Sequence, residues 1–534
     1  MEPFLFSPGL RDFLMFNAQK IINQAFQLHQ SGQIRDAINL YMKVLARQEN
    51  NAQLLYFLGT ANFQIGQMKL ASEQLRKSAR IDPKNPFTLN NLGSTLQALN
   101  QPEAALASFD KALALKPDYA EAHCNRGNAL KDLKRREEAL ASYARALALK
   151  PDYAEVYNNQ SQPLQELNRL AEALTSCDRA LALRPDYVEA HNNRGGILQA
   201  LNRLDESLAS FDKALALKPD FAEAYWNKAL IMILRGRYLE GWELFEWRFR
   251  KADLRAHYHD FPQPAWRGQE GIQGKKLLIC SEQGFGDVIQ FCRYLPLMGA
   301  LGAEIVFEVP QPLASLVSTL ECPLTVVVKD DPLPAFDVHC PVMSLPYVFR
   351  TTVETIPAKI PYLFSDKGKV EKWRDRLGPG ERPRVGLTWS GNRDHKNDAN
   401  RSMWLQELLP LFDLPIEWHS LQKEYRQPDL EILQQHSGIC LHQDDLHDFS
   451  DTAALIECLD LVVSVDTGSV HLAGALGKPV WVLLPYMPDY RWMLDREDSP
   501  WYPSARLFRQ PKAGDWKTVI QSVRQNLETF VVTR

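Results

Sequence analysis

Residues 461–485 read LVVSVDTGSVHLAGALGKPVWVLLP. Leu461, Val462, Val463 and Val465 form one apolar run, and Val480, Trp481, Val482, Leu483 and Leu484 form another. Neither run alternates, as expected of parallel strands covered on both faces. One short helix fits between them, opened by Asp466, Thr467, Gly468 and Ser469, carrying His471 in its first turns and stopped by Gly477 and Pro479. Backbone N–H groups at such a helix start lack intrahelical partners and carry partial positive charge, so a phosphate placed there gains hydrogen bonds and dipole attraction. The stretch reads as half of a nucleotide-sugar site; the alternative is that Asp466 and Thr467 only cap a buried helix.

Upstream, Lys275 to Cys280 reads as a buried first strand from which SEQGFGDVIQFCRYLPLM (281–298) turns into a helix. Gly284 and Gly286 let the backbone bend close to a ligand, and Asp287 falls at the first helical turn, as a cap or as a catalyst. Apolar runs at Ile305 to Val309, Leu324 to Val328 and Phe336 to Val338 continue an alternating α/β pattern. GxGD lacks the GxGxxG spacing, and no acidic ribose partner follows, so a dinucleotide fold is disfavoured.

Pro361 to Pro383 reads as a helix and linker, after which Arg384 to Thr388 begins a new sheet and ends in Trp389 to Asn392. The polar loop His395 to Ser402 holds Lys396 and Arg401, two cations just past a strand's C-terminal end, where α/β sheets bind ligands. Gln422 and Lys423 follow another strand-like run, Glu417 to Leu421. Asp444, Asp445, Asp448 and Asp451 read as caps and solvated charge, and a final helix, about Asp515 to Phe530, is expected to cross back to the first α/β domain.

The N-terminal half is periodic. Pro83, Pro117, Pro151, Pro185 and Pro219 recur every 34 residues, with Gly59, Gly93, Gly127 and Gly195 and Ala37, Ala71, Ala105, Ala139 and Ala173 in the same register. Each unit reads as a helical hairpin whose small residues allow close helix approach, and the series resembles the tetratricopeptide repeat, seven units over 18–255 with degenerate ends. Pro163 is expected to kink its helix. One column is Asn23, Asn91, Asn125, Asn159, Asn193 and Asn227, interrupted by Phe57. Such a column either pairs with the backbone of an extended peptide or bridges neighbouring repeats; peptide binding is the reading taken. The aromatic run Tyr238, Trp242, Phe245, Trp247 and Phe249 is expected to pack the last repeat against the next domain.

At 534 residues the chain exceeds one ordinary core. A net charge of -4 disfavours a generally nucleic-acid-binding surface, and no apolar run is long enough to span a membrane. The N-terminus lacks the pattern of a secretory leader, and eight scattered cysteines without a CxxC pair read as reduced thiols, so a cytoplasmic location is expected.

The GxGD turn near the start of one half and DTGxxH near the end of the other resemble the heptosyltransferase-type glycosyltransferases of family 9. That resemblance implies a GT-B fold of two Rossmann-like domains, 275–365 and 383–534, joined by 366–382 and preceded by a linker, 256–274, after the repeats, 1–255. It implies a nucleotide-diphosphate sugar as donor substrate, no further cofactor and no bound metal. Asp287 maps onto the proposed base, and Asp466, Thr467 and Gly468 map onto the contacts to donor sugar and diphosphate. Gly284, Gly286, Asn392, Lys396, Arg401, Gln422, Lys423, Ser469 and His471 complete the candidate donor set. Gln422 and Lys423 resemble the nucleotide-holding pair of O-linked N-acetylglucosamine transferases, and the column Asn91, Asn125, Asn159, Asn193 and Asn227 resembles their acceptor-binding ladder. The expected function is glycosyl transfer to a protein held by the repeats; the rival is a repeat scaffold whose GT-B half binds nucleotides or is structural.

Overall fold

The computed structural model describes residues 8–255, 258–395, 397–436 and 438–533. The chain forms an α-helical repeat solenoid followed by two parallel α/β sheets, and it divides into two compact units, Met1–Leu198 and Gln199–Arg534.

The first unit is built of helix pairs. Within each pair the chain turns through a left-handed residue, and these recur in register as Gly32, Gly66, Asn100, Lys134 and Asn168, continuing into the second unit as Asn202 and Gly236. Glycine and asparagine tolerate that conformation, whereas a lysine side chain is strained in it. Lys134→Asn is therefore expected to stabilise the repeats by about 0.5–1 kcal/mol, read as a higher urea midpoint at unchanged slope. The in-register glycines have a steric cause: a Cβ at Gly59 would lie 2.7 Å from Leu75, at Gly93 2.5 Å from Phe109, and at Gly127 2.4 Å from Tyr143. The helix Ala154–Glu166 runs through Pro163 without ending there.

In the second unit, the last repeat leads into two sheets. Strands β1 (Lys276–Cys280), β2 (Glu304–Val309), β3 (Leu324–Val328) and β4 (Val338–Pro341) lie in the order β3-β2-β1-β4, all parallel. Strands β5 (Arg384–Thr388), β6 (Glu417–Ser420), β7 (Ile439–Cys440), β8 (Leu461–Val465), β9 (Val480–Leu484) and β10 (Ala505–Arg509) lie in the order β10-β9-β8-β5-β6-β7, also parallel. β4 starts at Val338, the end of the run Phe336 to Val338, and Asp337 just before it is tied to Lys276 twice, donating its N–H to the Lys276 carbonyl at 2.9 Å and accepting the Lys276 N–H on its carboxylate at 2.7 Å. The connection before β1 adds a parallel bridge from Ala265 to His339.

The aromatic run packs as expected. Tyr238, Trp242 and Phe245 are buried, Trp242 meets Phe291 and Tyr490 edge-on, and Trp501 Nε1 donates to Tyr238 Oη at 3.1 Å. This packing places the end of the repeat array inside the second unit, so the division falls at 198/199 and not where the periodicity fades near 255. The final helix, Trp516–Val532, does not cross back to the first sheet. Its stripe of Trp516, Val519, Ile520, Val523 and Leu527 joins Val385, Leu387, Trp418, Leu461 and Val463 in the core of the six-stranded sheet. Arg524 holds it there through Asp413 at 2.6 Å. Among the described residues no helix is long and apolar enough to cross a membrane.

Candidate functional site

Strand order reverses between β1 and β4 in the first sheet and between β5 and β8 in the second. Ligand crevices of open α/β sheets open at the C-terminal ends of strands flanking such reversals. β1 ends at the turn carrying Asp287, β5 at Trp389–Asn392, and β8 at Asp466–Ser469.

The two turns meet. A Cβ at Gly286 would lie 2.7 Å from the His471 ring, so glycine is required there by the opposite half of the unit, not by a ligand. Phe285 packs edge-on against Phe449 at 5.3 Å, and a Cβ at Gly468 would lie 3.4 Å from the same Phe449 ring. His471 is buried, its Nδ1 paired with Tyr502 Oη at 2.9 Å and its Nε2 3.8 Å from Asp466 Oδ1. Thr467 opens the helix Gly468–Ala475, and its hydroxyl pairs with Ser464 at 3.1 Å.

Asp287 caps its own helix by accepting the Gly284 N–H through Oδ2 at 2.8 Å, while Oδ1 is held by Arg491. Arg491 lies in the loop after β9 and has no counterpart among the sequence candidates. Its Nε donates to Gln290 Oε1 at 2.6 Å and its Nη1 to Asp489 Oδ1 at 2.7 Å. Arg401 Nη1 donates to the Asp466 carbonyl at 3.1 Å, and the Arg401 guanidinium stands where a Cβ on Gly391 would be, 2.6 Å away. Asp287, Arg401, Asp466, Asp489 and Arg491 thus form one charged cluster walled by His471.

Burial pushes the Asp287 carboxyl above its ordinary range, with Arg491 and the Gly284 N–H pulling it back. Burial, then Asp489, pushes Asp466 up to about 6. Burial drives His471 well below its ordinary value, reinforced by Arg491, Arg293 and Arg401, so its imidazole is neutral. Burial alone would lower Arg491, but Asp489, Tyr490, Asp287 and Asp466 hold it well above its usual value, so it stays charged.

Other candidates have different roles. Gln422 is consumed by the chain: its Oε1 accepts the Trp389 and Ser390 N–H groups at 3.1 and 2.8 Å, and its Nε2 donates to Ser390 Oγ and the Glu424 carbonyl. Lys423 Nζ donates to the Gln443 and Leu446 carbonyls at 2.9 and 2.7 Å. Both fix loops at the sheet edge; Gln422 has both ends of its amide engaged, whereas exposed Lys423 keeps a third ammonium N–H. Asn392 is exposed and accepts the Asp394 N–H. Lys396 lies outside the described residues.

The asparagine column bridges repeats. Nδ2 of Asn91 donates to Thr60 Oγ1, of Asn125 to Asn90 Oδ1, of Asn159 to Asn128 Oδ1 and of Asn193 to Asn158 Oδ1, at 3.0, 3.0, 3.1 and 2.9 Å. One N–H of each of these four amides is therefore used by the preceding repeat, Asn125 turns a second on Ser94 Oγ at 3.3 Å, and Asn227 in the second unit is also engaged.

At the β6–β7 edge, Glu417, His419 and Cys440 bring ligand-type atoms within 4.8 Å of one another. Glu417 is engaged by Arg384 at 3.1 Å and His419 Nδ1 by His442 Nε2 at 3.0 Å, so the group closes on itself.

Comparison with known proteins agrees with this architecture. Residues 28–86, 95–134, 120–153, 160–220 and 197–246 match tetratricopeptide repeat models, and residues 447–519 match the model of glycosyltransferase family 9 (heptosyltransferase). The chain therefore joins tetratricopeptide repeats to a glycosyltransferase-type α/β region, and the matched segment contains the turn at Asp466 and His471. It is 29% identical over 331 residues to protein FlbA of Caulobacter vibrioides, a match covering 57% of this chain and 55% of that protein, so it spans about half of that relative's length. Among solved structures, the solenoid resembles MamA (25% identity, TM-score 0.29, 31% of this chain and 97% of that one). It also resembles a tetratricopeptide protein of Thermus thermophilus (24% identity, TM-score 0.30, 34% and 98%).

Proposed function

We propose that the second unit transfers a sugar from a nucleotide-diphosphate sugar to an acceptor hydroxyl or amide, with a polypeptide presented by the repeats as the acceptor. The observation that carries this reading is the meeting of the Asp287 turn with the Asp466–Ser469 helix start at the ends of β1 and β8. In the reaction, the acceptor oxygen or nitrogen bonds to the anomeric carbon, the carbon–oxygen bond to the diphosphate breaks, and the diphosphate leaves with the electron pair. Asp287 takes the acceptor proton. Arg401 and the N–H groups of Gly468 and Ser469 neutralise the leaving charge. With cations from the protein in that role, EDTA is expected to leave the rate within about twofold, whereas a required metal would abolish it.

Calorimetry of the full chain with UDP-, ADP- and GDP-sugars, followed by transfer to a cell-extract protein fraction, tests the proposal. Saturable binding of one donor with transfer supports it, and no saturable binding of any of them overturns it in favour of a repeat scaffold. The Asp466 carboxyl, up to about 6 through burial and then Asp489, adds a pH signature. It is charged above that pH and repels a donor anion. Binding of a nucleotide sugar, whose diphosphate does not titrate in this range, should tighten by about fivefold between roughly pH 7.5 and pH 5.5. Asp466→Asn should flatten that dependence.

A further inference from the structure

We infer that Arg491 is the side chain that takes the anionic half of the donor, and that it releases Asp287 in doing so. This rests on the glycosyl-transfer reading above and adds an order to it: the donor binds first, and its arrival frees the base.

Asp287 is engaged on both carboxylate oxygens. Oδ2 accepts the Gly284 N–H and Oδ1 is bound by Arg491, so the group expected to accept a proton is ion-paired to a cation that lowers its basicity. Arg491 in turn spends its fork on three side chains, Gln290, Asp489 and Asp287. Gln290 and Asp489 are enough to hold it at the mouth of the second sheet, Gln290 from the helix of the Asp287 turn and Asp489 from its own loop. Asp287 is the one of the three for which the proposed chemistry has another use. A guanidinium is also matched to phosphate oxygens by the same planar fork that matches a carboxylate.

The charge balance favours an exchange over simple addition. Among the described residues of this cluster, Asp287, Asp466 and Asp489 face Arg401 and Arg491, Glu282 and Arg293 behind them add one charge of each sign, and His471 is neutral, so carboxylates outnumber cations. A diphosphate added to that set meets repulsion unless a carboxylate gives up its place. If its oxygen replaces Asp287 Oδ1 on Arg491, the guanidinium keeps its count of bonds and Asp287 swings free while its Oδ2 stays on Gly284. Base and leaving-group ligand are thereby coupled through one ion pair, and an acceptor bound without donor meets a blocked base.

A double-mutant cycle tests this, with UDP, ADP and GDP as probes and calorimetry of the full chain as readout. Asp287→Asn should tighten binding of the preferred nucleoside diphosphate by about tenfold, because the competitor for Arg491 has lost its charge. Arg491→Gln should weaken binding by about tenfold or more, and in that background Asp287→Asn should bring no gain. Arg491→Lys, which keeps the charge but cannot span Asp489 and a second anion, should shrink the gain in the same way; it stands in if the glutamine variant lacks the wild-type circular dichroism. An equal gain from Asp287→Asn in every background means through-space repulsion only and overturns the exchange, as does the absence of any gain in wild type. No saturable binding by wild type overturns the glycosyl-transfer reading itself, a result distinct from binding without coupling.

Discussion

Asp287→Asn is expected to lower kcat for transfer by about 100-fold or more, the range for loss of a general base, while the KM for the nucleotide sugar does not rise. The substitution keeps the side chain's shape and its acceptor for the Gly284 N–H, so the helix start it caps should persist. What it removes is a proton acceptor that stands where the two sheets' turns meet. The pH profile is a second readout. Burial raises the Asp287 carboxyl above its ordinary range, so the wild-type rate should fall on the acid side at a higher pH than an exposed aspartate would give. The base form exists only above that pKa, and the acid limb should vanish in the variant. A loss below about threefold, or an unchanged acid limb, would assign Asp287 to capping alone.

Most strands were legible because parallel strands covered on both faces leave largely apolar runs whatever they pair with; β1, β2, β3, β5, β8 and β9 lie where those runs stand, and β6, with Glu417, His419 and Ser420, lies at the strand-like run 417–421 without being one of them. The strands that escaped were β7, only two residues long, and β10, whose Arg506 and Arg509 break the run at a sheet edge. The final helix shows a related gap: its apolar stripe is plain in the sequence, but the stripe does not say which sheet it covers. At the site, the turns at Asp287 and Asp466 could be read because strand, turn and helix are local. Arg491 could not, since it sits in an irregular loop and acquires its role only when that loop meets the opposite half. The available signal was position alone, just past the C-terminal end of β9. Gln422, Lys423 and the asparagine column also make intrachain bonds that the sequence did not reveal, because amides and ammonium groups suited to a ligand are equally suited to the chain's own carbonyls and amides.

Arg248→Ala is expected to destabilise the second unit by about 3–5 kcal/mol, the cost of leaving a buried carboxylate without its partner. Arg248 is fully buried, and it reaches from the end of the repeat array into the first sheet. Its Nε and Nη2 bind the two oxygens of Glu282 at 2.9 and 3.0 Å, Nη1 binds Glu246 at 2.5 Å, and Nη2 also donates to Ser344 Oγ at 2.7 Å. Glu282 completes its shell with the Met343 N–H at 3.1 Å, and the aromatic faces of Phe245 and Phe249 close over the guanidinium. Removing the arginine strands Glu282 and Glu246 together, whereas replacing Arg248 and Glu282 jointly by Met and Leu should recover the part of the loss due to fully buried Glu282 and leave the part due to Glu246, which keeps its bond from Ser344. By calorimetry the single variant should lose roughly 6–10 °C in the transition of this unit, near the low end of the shift per kcal/mol for a body of its size. Glu282 stands between β1 and the turn bearing Asp287, so the same variant, at temperatures where it remains folded, should also lose transfer activity. Stability lost with activity intact would show that the repeat end and the Asp287 turn are supported independently. Activity lost in proportion would show that the solenoid's last helices are part of what holds the base in place.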